Sequence, residues 1–212
     1  MNITIFGAKT LVGMQLIKQA LGKNYYVKAF DRNIEDLIDD DLRNDKLEVI
    51  KGYVFDTKEI ADALQNTDVV ISCIGSNNNS TDKSRSLGMK NIVEQMELLH
   101  KKRIIALSNI GVLNIDEEKL AMDFEDFPEE LKEVSFEHLA AYQHLKSSNL
   151  NWTLICPSKI IDKDASGNFL TKENYLPSHH KKQVYAGDVA TFILNILTDE
   201  KSFHHKISIE TY

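Results

Sequence analysis

Two glycines six residues apart, Gly7 and Gly13, enclose Ala8-Lys9-Thr10-Leu11-Val12 between an apolar run, Asn2-Ile3-Thr4-Ile5-Phe6, and a helical pattern. A segment of this kind can hold an anion. Glycine directly after a buried strand supplies the backbone angles of a tight turn, and the second glycine lets the helix lie close to the strand. The helix N-terminus then offers unpaired N–H groups and the positive end of its dipole. Asp31-Arg32 closes a second strand-like run, where a carboxylate accepts from a ribose hydroxyl and a guanidinium pairs with a 2′-phosphate. Turn, helix and strand end make the layout of a βαβ unit that binds a dinucleotide, its pyrophosphate resting on the helix N-terminus. The middle glycine of a Gly-x-x-Gly-x-x-Gly pattern is replaced by Thr10, whose side chain enters the crevice and whose hydroxyl can donate to a phosphate oxygen. The alternative is an ordinary strand-turn-helix with two structural glycines; the spacing to Asp31 and Arg32 and the chain downstream speak against it.

That turn needs a buried sheet beneath it, and strand-like runs recur at residues 25–30, 47–51, 69–74, 103–108, 152–156 and 206–209. They alternate with helical patterns over 11–21, 57–64, 84–100, 128–148 and 187–197, the last opened by Asp188. Alternation at this density predicts an α/β protein, a Rossmann-like doubly wound parallel sheet with helices on both faces. A chain of 212 residues with 42% hydrophobic content suits a single domain over 1–212. Two stretches break the alternation: 76–83, with its Ser76-Asn77-Asn78-Asn79-Ser80-Thr81 run, and the largely polar 158–182. Both follow carboxyl ends of parallel strands, where open α/β sheets place ligands, so they are the expected substrate or lid region. The asparagine run reads equally well as a flexible polar loop. The acidic stretch 116–133 reads as a solvated insertion.

A net charge of −7 with no basic block excludes nucleic acid as a partner and leaves a small-molecule acceptor as the expected one. No apolar stretch has membrane-spanning length, and the chain opens on a strand rather than a charged, apolar leader, so no membrane association and a cytoplasmic location are expected. Cys73 and Cys156, each near the end of a strand, read as reduced core thiols. The pairs His179-His180 and His204-His205 read as solvated loop histidines, and no metal site is expected. A monomer or homodimer is expected.

Farther along, Leu145-Lys146-Ser147-Ser148-Asn149-Leu150-Asn151-Trp152-Thr153-Leu154-Ile155-Cys156-Pro157 and Val184-Tyr185-Ala186-Gly187-Asp188-Val189-Ala190 resemble segments of the atypical short-chain dehydrogenases. With the Gly7 turn and Pro157-Ser158-Lys159-Ile160, the chain resembles the NAD(P)H-binding group that contains biliverdin-IXβ/flavin reductases and NmrA-like proteins. The resemblance implies a Rossmann fold and an NAD(P)H-dependent transfer of hydride to a small conjugated acceptor, flavin- or quinone-like. The alternative it implies is a non-catalytic, NmrA-like redox sensor. Carried over by residue, Gly7, Lys9, Thr10, Leu11, Val12 and Gly13 match the phosphate turn, and Asp31 and Arg32 match the residues that read the adenosine ribose. Val54 follows Tyr53, which stands where relatives have the first acid of Gly-Asp-x-x-Asp beside the adenine. Cys73, Ile74 and Gly75 form the strand end next to the cofactor; Ser108, Asn109 and Pro157 lie near the nicotinamide. Ser108 and Lys159 are the implied catalytic candidates, Ser108 as a hydroxyl and Lys159 as an anchor for an anionic substrate group, although Lys159 reads equally as a solvated loop lysine. Arg32 and Lys9 can bracket a 2′-phosphate while Asp31 favours a free ribose; the expected balance is NADP(H) over NAD(H). Tyr142-Gln143-His144-Leu145-Lys146 mimics the proton-relay motif Tyr-x-x-x-Lys. Counted back from Pro157, however, the family's pair falls at Val134 and His138. Eight residues along a helix turn a side chain by roughly 80°, so Tyr142 and Lys146 are expected to face elsewhere.

Overall fold

Apolar runs long enough to be covered on both faces fold, in the computed structural model, into an eight-stranded sheet; the structure describes residues 1–34, 44–75, 83–177 and 183–212. The first half runs β1 (Asn2–Phe6), α1 (Leu11–Gly22), β2 (Tyr26–Asp31), β3 (Leu47–Lys51), α2 (Thr57–Ala63), β4 (Val69–Ser72) and α3 (Ser86–Leu98). The second runs β5 (Arg103–Leu107), α4 (Glu129–Lys146), β6 (Asn151–Pro157), β7 (Lys159–Ile161), β8 (Phe169–Glu173), β9 (Gln183–Tyr185), α5 (Ala186–Asn195) and β10 (His205–Thr211). The main sheet has the order β3-β2-β1-β4-β5-β6-β10-β8, and β7 and β9 form a separate parallel pair. Each helix and predicted strand lies within two residues of its expected bounds.

Side chains alternate across each strand, and this sorts the core into two layers. Ile3 and Ile5 of β1 point toward α1 and α5, where Leu16, Ile17, Val189 and Ile193 are fully buried. Phe6 points the other way, into a layer with Phe30 of β2, Ile92 and Met96 of α3 and Leu145 of α4. The chain builds outward from β1 through β2 to β3, then returns to lay β4, β5 and β6 on the other side. The order therefore reverses between β1 and β4, and a crevice opens beyond their carboxyl ends, where doubly wound sheets bind ligands.

Tertiary packing corrects three expectations. The sheet is not wholly parallel, because β8 pairs antiparallel with β10 at the edge. Residues 158–182 are not one polar loop: they contain β7 and β8, and their middle is pinned. The buried Asp188 carboxylate accepts from Ser166 N–H, Ser166 Oγ and Gly167 N–H, each at 2.8 Å. Gly187 is in such close contact with this segment that an added Cβ would lie 2.1 Å from Ala165 N. The acidic insertion 116–133 is not wholly solvated, since Ala121, Met122 and Phe127 bury themselves as a small satellite core. Of the other expected loop, 76–82 lie outside the described residues, as do 178–182 with His179 and His180. Cys73 and Cys156 are free and buried, as expected. No helix among the described residues is long and apolar enough to cross a membrane.

Candidate functional site

The turn after β1 is built by backbone contact. Gly7 adopts φ 78°, and the N–H groups of Gly7 and Ala8 both donate to Phe30 O of β2, at 3.0 and 3.3 Å. A Cβ on Gly7 would lie 2.7 Å from Cys73 O, and one on Gly13 2.5 Å from Gly7 O, so neither position admits a side chain without moving backbone. Gly13 thus seats α1 against the turn itself. Thr10 caps the helix: its hydroxyl accepts from Gly13 N–H at 3.1 Å and donates to Gly7 O at 2.8 Å. That corrects the expected role of Thr10, because its one hydroxyl proton is spent on Gly7 and not offered to phosphate. The N–H groups of Leu11 and Val12, at the start of α1, have no partner among the described residues and are the donors left for an anion.

Gly7, Thr10, Asp31, Arg32, Val54, Ile74 and Gly75 line one shallow cleft, open to solvent, with an enclosed volume of about 90 Å³. Cys73 and Gly13 back onto Gly7, and Lys9 is exposed on the turn. Asp31 Oδ2 accepts from Lys9 N–H at 3.1 Å and Oδ1 from Asn33 N–H at 3.2 Å, so the carboxylate braces the turn from the end of β2. On the opposite wall Gly75 lies at φ 112°, where Arg85 Nη2 donates to its carbonyl at 2.7 Å. Phe30, Gly52, Tyr53, Phe55 and Ser84 complete the lining. For Gly52 and Phe55 a sequence signal is present, the Gly-x-x-x-Asp segment directly after β3; Ser84 carries none.

The residues expected near the nicotinamide do not line this cleft. The Ser108 hydroxyl is buried beside Cys156, a thiol that burial pushes up to about 12 against the smaller opposing pull of Lys206 and Ser108. Asn109 spends its carboxamide within the fold, donating to Ser135 Oγ at 2.9 Å and accepting from Gly111 N–H at 3.0 Å. Pro157 ends β6 in register with Ile209, and Lys159 is exposed at the start of β7. Tyr142 packs edge-on against Trp152 at 5.5 Å, near the amino-terminal end of β6 and away from the cleft. Burial, with a smaller contribution from Cys156, raises its pKa. At the register where the family's pair falls, Val134 is buried beside Ser135, which reaches Asn109. His138 is half-buried, and burial together with the Arg85 charge pushes its imidazole down to about 3, so it is neutral.

Residues 7–200 match a family described as NAD(P)H-binding. No curated protein sequence matches the chain. Among solved structures, an exported protein of Burkholderia pseudomallei, provisionally so named, is 24% identical, with all of both chains covered and a TM-score of 0.85. A protein of Streptococcus pneumoniae, provisionally named an NADH-flavin reductase, is 23% identical, again with full coverage and a TM-score of 0.82. A wide-type short-chain dehydrogenase/reductase of Veillonella parvula in complex with NADP is 21% identical, with 99% of this chain and 94% of that chain covered and a TM-score of 0.75. At these identities the likeness is one of fold.

Proposed function

We propose, from the premise that the chain belongs to this NAD(P)H-binding family, that it is a reductase passing hydride from NAD(P)H to a small conjugated acceptor such as a flavin or quinone. The observation that carries the reading is the fit of the cleft to a dinucleotide. Gly7 and Gly13 make a cradle that a Cβ would fill, two helix-start N–H groups point to where a pyrophosphate would lie, and Asp31 and Arg32 stand where a ribose would follow. The cofactor supplies the hydride; the chain's residues hold and orient it. Conjugated acceptors take hydride with little acid catalysis, which is consistent with Tyr142 and Lys146 lying at the far end of the sheet. Two buried free thiols suit a cytoplasmic setting.

Steady-state reduction of a flavin or quinone by NADPH tests the reading. Tyr142→Phe should stay within a few-fold of wild type, whereas a general acid contributes about a hundredfold or more, so a loss of that size with folding intact overturns the assignment. Ser108→Ala should lose modestly if the hydroxyl positions the ring. Saturable NADPH binding without turnover on any acceptor would favour the redox sensor, a reading supported by Asn109 being spent inside the fold.

The same site is proposed to take NADP(H) over NAD(H). Arg32 lines the cleft, and the Asp31 carboxylate has each oxygen held by a backbone N–H, which offsets part of its charge. Arg32→Ala should weaken NADPH about tenfold, the size of one charge-assisted bond, and leave NADH nearly unchanged. Tighter binding of NADH than NADPH by wild type would show that the Asp31 charge dominates.

A further inference from the structure

Tyr53 and Phe55 are large rings left 54% and 53% exposed on one lip of the cleft. Their backbone is held firmly. Tyr53 N–H donates to Glu59 Oε2 at 2.7 Å, Asp56 N–H to Tyr53 O at 2.9 Å, and Asn91 Nδ2 to Val54 O at 2.9 Å. The two acids of this segment that could read the edge of a base are both engaged: Asp56 caps α2 through Lys58 N–H and Glu59 N–H, and Glu59 holds Tyr53. Neither lines the cleft. Val54, between the two rings, turns inward against Gly88. An exposed aromatic on a braced backbone loses little freedom when a flat ligand covers it, and stacking reads a ring face without reading its edge.

We infer that Tyr53 is the platform on which the purine of the dinucleotide stacks, so that the base is recognised by its face and adenine is only weakly preferred over other purines. This rests on the dinucleotide reading above. Calorimetric titration of wild type, Tyr53→Ala and Tyr53→Phe with NADPH, with its hypoxanthine analogue and with reduced nicotinamide mononucleotide, which has no purine, tests it. Tyr53→Ala should bind NADPH about tenfold more weakly, the size of one base–aromatic stack, and Tyr53→Phe within about threefold of wild type. The mononucleotide should bind all three proteins alike. Wild type should bind the hypoxanthine analogue within about threefold of NADPH, because stacking is insensitive to exchange of the edge groups. Unchanged NADPH affinity in Tyr53→Ala, equal losses in Ala and Phe, or a preference for adenine above tenfold would each overturn the platform. If wild type binds no dinucleotide at all, the functional reading falls and the platform with it; if wild type binds and Tyr53→Ala is unaffected, only the platform falls.

Discussion

Gly13→Leu should abolish dinucleotide binding, with a loss of more than a hundredfold in affinity. Even a methyl group at this position would lie 2.5 Å from Gly7 O and 2.7 Å from Ala8 O, and both neighbours are backbone that cannot rotate aside. The helix has to back away from the turn, carrying with it the N–H groups of Leu11 and Val12 and the Thr10 cap. Two hydrogen bonds to a charged group are worth about 1.5–3 kcal/mol each, which sets the expected loss. Overpacking should also cost stability, about 1–3 kcal/mol, leaving the protein folded at room temperature. Calorimetric titration on a variant shown to be folded by circular dichroism checks both. Unchanged affinity would remove the turn from the binding site.

Arg103→Met should be the most damaging single change to the fold while leaving cofactor affinity intact. The guanidinium is buried at the amino-terminal end of β5, far from the cleft, and every arm is used. Nε donates to Leu197 O at 2.9 Å, Nη1 to Asn151 O at 2.9 Å and Thr153 Oγ1 at 2.7 Å, and Nη2 to Ile196 O at 3.0 Å and Ser202 Oγ at 3.1 Å. The group also stacks 4.6 Å from the Phe203 ring. Burial pulls its pKa down to about 10, partly offset by Asp199, so it stays charged at neutral pH. Methionine fills the space but orphans the Ile196 and Leu197 carbonyls at the end of α5, and at about 1–3 kcal/mol for each buried acceptor left unpaired the pair costs about 3–5 kcal/mol. At about 2–4 °C per kcal/mol for a chain of this size, Tm should fall by roughly 6–20 °C. Arg103→Lys should recover less than half of that, because one ammonium cannot replace a planar fork. A fall in Tm of about 2 °C or less by calorimetry would contradict the clamp.

Those two positions differ in how visible they are along the chain. Gly13 announces itself by spacing, whereas Arg103 reads as an ordinary charge ahead of Ile104 and Ile105 and is explained by partners 48 to 99 residues away, from Asn151 to Ser202. The same division runs through the whole protein. Order and type of the elements, burial of β1 and β4, and the glycine turn ahead of α1 were legible because each depends on residues within a few positions of one another. Apolar periodicity and the steric demands of a tight turn are local quantities. The displacement of Tyr142 from the site was legible too, since helical rotation is set by counting. What only the folded chain decided is where partners distant in sequence spend their polar groups. Asn109 gives its carboxamide to Ser135 on α4, and Asp188 draws Ser166 and Gly167 out of what reads as a free loop. A hydroxyl, amide or carboxylate can serve a ligand or the fold, and the choice depends on which backbone arrives beside it. That is settled by packing across the sheet and between its layers, which no local pattern records.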